Sequence, residues 1–313
     1  MNGLELSRAF YDECGKPMLE AQFHDLLPFL AVGLFGSGSE CFGYDDSISR
    51  DHDYEPGFCV FLPGEEIVSR RDAFLLERAY SGLPRIFEGY ERTPILPVGG
   101  ARHGVFRTGE FFLRAVGSPD GMLSAEQWLT LPEQAFAEAT NGSVFYDPYG
   151  EVTRIRTNLE YFPEDIRLKR LAGNLLLMAQ SGQYNYRRCL RHQEPAAAQL
   201  AAFEFVKACL SVIFLLNRHY QPYYKWVFRS LRGLSLLPEL GNSLAFLLTT
   251  DNSDSLSEQK EDLIEDISRR IAEELRSQSL TRVSDNELEK HAYSVNDRIK
   301  DAELRNMHVL AAV

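Results

Sequence analysis

The spacing of apolar positions along the chain changes near residue 120. Ahead of that point, short continuous apolar runs alternate with helical stretches. "LAVGLFG" (30–36) and "FCVFLP" (58–63) are apolar throughout and close on glycine or proline, which predicts two buried strands. "GEEIVSRRDAFLLERAYSGLP" (64–84) has acids in its first turn and apolar residues at helical spacing, predicting a helix that ends at Gly82 and Pro84. "HGVFRTGEFFLRAVG" (103–117) predicts a short strand running into a helix. From about Leu123 onward the apolar residues recur at i, i+3 and i+4, as in "PEDIRLKRLAGNLLLMAQSGQYNY" (163–186) and "SEQKEDLIEDISRRIAEELRSQ" (257–278). The pattern predicts an α+β chain. An N-terminal α/β domain (1–120) would hold a small mixed sheet with flanking helices, and an all-α helical domain (121–313) would follow.

At 313 residues and 44% hydrophobic, the chain can bury a large core. The N-terminus has no basic region followed by an apolar one, so no secretory signal is expected. The most apolar helical run, "LAAFEFVKACLSVIFLLN" (200–217), carries Glu204 and Lys207, which predicts a buried core helix and no membrane partner. Five cysteines, an odd number with no C-x-x-C spacing, fit reduced thiols in a cytoplasmic protein. The sequon Asn141-Gly142-Ser143 would matter only in a secreted chain.

Charge adds a contrast. The net charge is −12, which argues against general coating of nucleic acid. Residues 166–238 nevertheless hold eleven Lys and Arg against two acids, so this segment is +9 and the rest of the chain −21. Such a segment either concentrates an anionic ligand or forms solvated basic helix faces.

The candidate chemistry lies in "GLFGSGSECFGYDDSISRDHDYEPGF" (33–58), where a Gly-Ser turn is followed by Asp51-x-Asp53. A calcium loop starting at Asp51 fails, because Pro56 stands where glycine must turn and Leu62 where a bidentate acid must ligate. A Walker-type loop fails because no lysine lies between Lys16 and Lys169. The third reading places Asp51 and Asp53 on one face of a strand, with His52 on the other. Two such carboxylates can hold Mg²⁺, while amides after Gly36-Ser37 face phosphate. An acidic surface turn is the plain alternative.

"GSGSE" and "SRDHD" resemble the Gly-Ser…Asp-x-Asp signature of the polymerase-β-type nucleotidyltransferase fold. With "SAEQWLTLPEQ", "TNGSVFYDPYGE", "YFPEDIRLKRLAG" and "RHYQPYYKW", the chain resembles the bacterial family of nucleotidyltransferase-like proteins called domain of unknown function 4037. That resemblance implies a nucleotidyltransferase fold, phosphate contact by Gly36, Ser37 and Ser39, and Mg²⁺ or Mn²⁺ on Asp51 and Asp53. It implies a nucleoside triphosphate as substrate, with an unassigned acceptor. Active members of the wider superfamily add a third carboxylate on a later strand. Here that strand reads Val105, Phe106, Arg107, Thr108, with no acid. Either Glu110, or Asp147 or Glu151, completes a catalytic set with Asp51 and Asp53, or the base is missing.

"RHYQPYYKWVFR" (218–229) interleaves aromatic and basic residues without an acid. Tyr223, Lys225 and Arg229 are expected to line the nucleotide cleft from the helical domain, Lys225 meeting the triphosphate. A proline-broken helix junction packed by its aromatics is the alternative. Arg187, Arg188 and Arg191 read as a solvated basic face with possible phosphate contact. Three functions follow in order: a Mg²⁺-dependent nucleotidyltransferase, a nucleotide-binding sensor or scaffold without catalysis, and an RNA-binding protein using the 166–238 segment.

Overall fold

The computed structural model describes residues 1–48, 54–92 and 102–313. The strands are β1 (Ala31–Leu34), β2 (Cys59–Leu62), β3 (Ile86–Phe87), β4 (Tyr90–Glu91), β5 (Gly104–Arg107) and β6 (Ser143–Tyr146). The helices of the first half are α1 (Gly3–Phe10), α2 (Lys16–Gln22), α3 (Arg70–Ser81), α4 (Thr108–Val116), α5 (Ala125–Thr130), α6 (Glu133–Thr140) and α7 (Glu151–Asn158). Those that follow are α8 (Glu164–Met178), α9 (Arg187–Arg191), α10 (Pro195–Leu216), α11 (Tyr224–Leu231) and α12 (Leu240–Thr249). The chain closes with α13 (Asp254–Ser277), α14 (Leu288–Asn296) and α15 (Ala302–Asn306). The α+β class expected from the pattern is the one observed.

The chain divides into two compact units: Met1–Ser124 with Pro132–Glu160, and Ala125–Leu131 with Tyr161–Val313. The first holds a four-stranded mixed sheet in the order β5-β2-β1-β6. β2 and β6 pair antiparallel with β1, and β5 runs parallel to β2. β1 and β2 are buried at every position, as their unbroken apolar runs predict. Their side chains Val32, Val60 and Leu62 join Phe10, Leu19, Leu30, Phe58, Leu76 and Tyr80 in one core.

Two elements differ from the sequence pattern. The helix expected from Gly64 begins at Arg70, because Ser69 accepts the Asp72 amide and caps it, while Gly64–Val68 form a turn. The chain after residue 120, expected to be wholly helical, contains β6. Its four residues are too few to show a strand period between flanking helices, and only pairing with β1 selects them. That pairing returns 132–160 to the first unit, so the unit is discontinuous where one boundary near 115–125 was expected.

The helical unit is organised around α8, whose residues are buried on nearly all sides. α10 is long and apolar enough to cross a membrane, but its second half is buried within this unit, as in the core helix of a soluble protein. The basic segment takes an unexpected form here. Arg167, Lys169 and Arg170 of α8 are buried, and so is Lys260 of α13. Each donates to carbonyls where another helix ends. Arg167 reaches Leu215 O of α10 at 3.3 Å, and Lys169 reaches Met307 O after α15 at 2.7 Å. Arg170 binds Trp128 O, Leu129 O and Leu131 O around the end of α5, and Lys260 binds Thr250 O after α12 at 2.7 Å. The last carbonyls of a helix lack intrahelical donors and sit at the negative end of its dipole, so buried cations satisfy both. Burial pushes the pKa of Lys169 and Lys260 down, against the charge these contacts require. The expected choice between anion site and solvated face therefore fails for Arg167, Lys169 and Arg170, which are neither.

Glu164 gives the unit an acid-sensitive contact. Its hydrogen bonds from Arg167, 2.6 and 3.1 Å, hold its carboxyl below the usual 4.5, with Arg218 adding a third at 2.8 Å. A depressed carboxylate pKa contributes stability that is present above 4.5 and lost as pH falls through the folded value. The helical unit should thus lose stability on acidification below 4.5, and Glu164→Gln should flatten that slope in pH-dependent denaturation. An unchanged slope would contradict this.

Candidate functional site

The Gly-Ser turn follows β1 directly. Gly36 and Gly38 have φ of 128° and 141°, a region that side chains with a Cβ avoid. The chain then makes a short 3-10 turn over Glu40–Phe42, closing on Gly43. A carboxamide from far along the chain sets this conformation. Asn141 Oδ1 accepts the Gly36 amide at 2.9 Å and its Nδ2 donates to Gly36 O at 2.8 Å, so one side chain holds both backbone groups. Gly142 N donates to Cys41 O at 2.8 Å. Behind the turn, Arg156 donates to Thr140 O and Asn141 O at 2.8 and 2.7 Å, and its guanidinium lies 4.5 Å from the Phe35 ring centroid. Burial pushes its pKa down to about 10. On the other side Arg102 donates to Ser37 O at 3.0 Å and pairs with buried Glu40.

The consequence for phosphate contact is specific. The Gly36 amide, expected to face phosphate, is taken by Asn141. The amides of Ser37, Gly38 and Ser39 donate to no described residue. They are backbone donors on a turn with two positive-φ glycines, held at Gly36 by Asn141 and at Ser37 by Arg102. Beside the turn opens a cavity of about 390 Å³ bordered by Gly36, Ser37, Arg102, Arg114 and Glu138, within the range of small-molecule sites.

Asp51 and Asp53 lie outside the described residues. β2 begins only at Cys59, and Tyr54–Phe58 are not strand, so the described strand does not reach the pair. Carboxylates near the turn are otherwise engaged. Glu40 pairs with Arg102, Glu55 lies 3.3 Å from His103 Nδ1, and Glu138 accepts from Gln134 at 2.7 Å. No cluster of three or more metal-ligating His, Cys, Asp or Glu occurs among the described residues.

Glu110 lies away from the Gly-Ser turn. It sits in the first turn of α4, exposed, after β5 has ended. β5 and β2 run opposite to β1, so their C-terminal ends lie beside the start of β1, whereas the Gly-Ser turn follows its end. Four-residue strands separate those edges by roughly 10 Å. Asp147 and Glu151 follow β6, which also runs opposite to β1, and they share the far edge. There Asp147 accepts the Gly150 and Thr153 amides, and burial raises the Glu151 pKa despite a hydrogen bond with Thr108. None of the three proposed third carboxylates is at the turn.

Tyr223, Lys225 and Arg229 belong to the helical unit, at and within α11. Tyr223 and Lys225 are exposed, the Tyr223 ring lying 4.2 Å from that of Tyr224. Lys225 and Arg229 flank the Trp226 ring at 4.9 and 5.9 Å. α10 ends at Leu216, and Pro222 lies in the gap before α11. Arg188 and Arg191 are exposed, and Arg187 pairs with Glu261 at 3.1 Å.

Over residues 128–227 the chain matches the family described as a domain of unknown function (DUF4037). The resemblance to that family is borne out over this segment. The DUF4037 segment includes Asn141 and Arg156, which support the turn, and Arg167, Lys169 and Arg170, which brace the helical unit. It does not include Gly36, Ser37, Asp51 or Asp53. No curated protein matches the chain. Residue-by-residue reading missed Asn141, Arg102, Arg156 and Glu138. Only Asn141 carried a local signal, as part of "TNGS", and its partner lies 105 residues away.

Proposed function

We propose that the first unit binds a nucleoside triphosphate at the Ser37–Ser39 amides and transfers its nucleoside monophosphate to an acceptor hydroxyl, in the cytoplasm. The observation that carries this reading is the Gly-Ser turn itself, held by Asn141 and Arg102, with three amides that donate to no described residue and with Ser37 bordering a cavity of ligand size. In the transfer the acceptor oxygen bonds the α-phosphorus, the bond from the α-phosphorus to the β-phosphate oxygen breaks, pyrophosphate leaves with that electron pair, and the hydroxyl proton passes to solvent water. Asp51 and Asp53 would hold Mg²⁺ or Mn²⁺, hard cations suited to carboxylate oxygen, which supply charge stabilisation to the phosphates when bound.

A second reading, nucleotide binding without transfer, is favoured by the far-edge location of Glu110, Asp147 and Glu151 and the acid-free β5. RNA binding by the 166–238 segment loses support, since Arg167, Lys169 and Arg170 are engaged with backbone carbonyls. The deciding assay incubates the full chain with each α-labelled triphosphate, Mg²⁺ and lysate fractions as acceptors. Label transfer should appear and drop by roughly 100-fold or more in Asp51→Ala and Asp53→Ala. Transfer undiminished in the double variant would sink the proposal. Magnesium-dependent binding without pyrophosphate release would establish the second reading.

A further inference from the structure

The last turn of α4 carries a cation to the side of the sheet where the Gly-Ser turn lies. β5 ends at the far edge, and α4 begins there with Thr108. The helix then comes back toward the turn. Phe111 and Phe112 already meet Phe35, the residue before Gly36, with ring centroids 5.4 and 6.0 Å apart. Arg114, in the last turn of the helix, borders the same cavity as Gly36 and Ser37. Residues i and i+3 share a helix face, so the packing of Phe111 against Phe35 brings Arg114 to that side as well.

The two arginines that border the cavity differ in what they already hold. Arg102 donates to Ser37 O and pairs with Glu40. Arg114 is exposed, pairs with no acid among the described residues and makes only a long contact, 3.4 Å, with Glu110 O of its own helix. Its guanidinium thus borders the cavity together with a turn whose Ser37, Gly38 and Ser39 amides also donate to no described residue. Guanidinium and backbone N–H groups offer donors alone, and one ligand group that satisfies several of them is an oxyanion with many acceptor oxygens. Glu138 borders the cavity from α6, with one carboxylate oxygen accepting from Gln134. It would repel such a group, so the anion belongs on the side of Arg114 and Ser37. Lys225, expected from the sequence to meet the triphosphate, belongs to the other unit.

We infer that Arg114 is the phosphate-binding cation of this cavity, and that the site takes its ligand by a polyphosphate chain, whatever base the chain carries. The inference rests on nucleotide binding at the Gly-Ser turn and names the group through which that site recognises its ligand. It requires no catalytic step and holds whether or not transfer follows.

Equilibrium binding of ATP, inorganic tripolyphosphate and adenosine to the full chain in Mg²⁺ tests it. ATP and tripolyphosphate should bind within about tenfold of each other, and adenosine more weakly than ATP by roughly 100-fold or more. Arg114→Ala should weaken ATP and tripolyphosphate alike by roughly tenfold, as expected for a lost charge-assisted hydrogen bond. Arg114→Lys, which keeps the charge but not the planar fork, should recover part of that loss. Arg70→Ala removes the same charge from an exposed position of the same unit and should change neither affinity by more than about twofold. Thermal unfolding of each variant separates lost binding from lost folding. An ATP affinity unchanged in Arg114→Ala, an equal loss in Arg70→Ala or in Glu138→Gln, or ATP bound where tripolyphosphate is not, overturns the assignment of Arg114 and the phosphate chain alone. Failure of all three ligands to bind overturns the reading of the turn and this assignment with it.

Discussion

Replacing Arg170 with alanine should destabilise the helical unit by about 4 kcal/mol, seen as a shift of its urea or thermal transition. The guanidinium binds three carbonyls, at 3.0, 3.0 and 2.9 Å, around the end of α5, and lies 4.9 Å from the Phe162 ring centroid. Those carbonyls have no helix continuing beyond them, and those of Trp128 and Leu129 are bonded in a buried setting. Truncation removes this donor from all three, removes the packing of the side-chain stem and opens a void, each costing on the order of 1 kcal/mol or more. Arg188→Ala and Arg191→Ala are the internal comparison. They remove the same charge from the same basic segment, but from exposed positions, and should shift stability by about 0.5 kcal/mol or less. Equal effects from the three variants would show that net charge, not carbonyl satisfaction, is what matters.

Gly142→Ala should have a comparably large effect, on the first unit. Gly142 has φ of 59°, and an added Cβ would collide with Leu34 O and come within 2.9 Å of Phe35 Cα and 3.0 Å of Leu34 C. All three are backbone atoms at the end of β1, so relief requires moving the strand or the turn that follows it. The left-handed conformation alone costs a residue with a Cβ roughly 1 kcal/mol, and the collision brings the total to about 3 kcal/mol. Displacing residue 142 also strains its amide bond to Cys41 O and moves Asn141, which holds Gly36. Nucleotide binding should therefore fall together with stability. Gly150→Ala supplies the contrast, since it shares the positive φ, 74°, yet an added methyl there would meet nothing within 4 Å, and it should cost only about 1 kcal/mol. If the two substitutions unfold alike, the close approach of residue 142 to β1 is not energetically important.

These two sites mark where the sequence was legible and where it was not. The glycines of "GSGSE" announce a turn, and the apolar runs before and after it announce strands, because local conformation and burial leave local traces. α8, α10 and α13 follow from apolar spacing for the same reason. β6 left almost no trace, since four half-buried residues, Ser143–Tyr146, become a strand only through the pairing that β1 offers. The role of charge was also misjudged from sequence. Arg167, Lys169 and Arg170 look like a basic face because a sequence records a cation and not the carbonyl it meets 39 to 138 residues away.

The candidate site divides in the same way. The sequence by itself determined the turn, the α+β class and the acid-free strand after it, since each depends on residues adjacent in the chain. Tertiary structure alone decided that Asn141 clamps Gly36, that Arg102 ties down Ser37, that Glu138 borders the cavity, and that Glu110 stands at the far edge of the sheet. Strand direction and pairing order place those groups, and both are set by contacts between segments that the chain order does not encode.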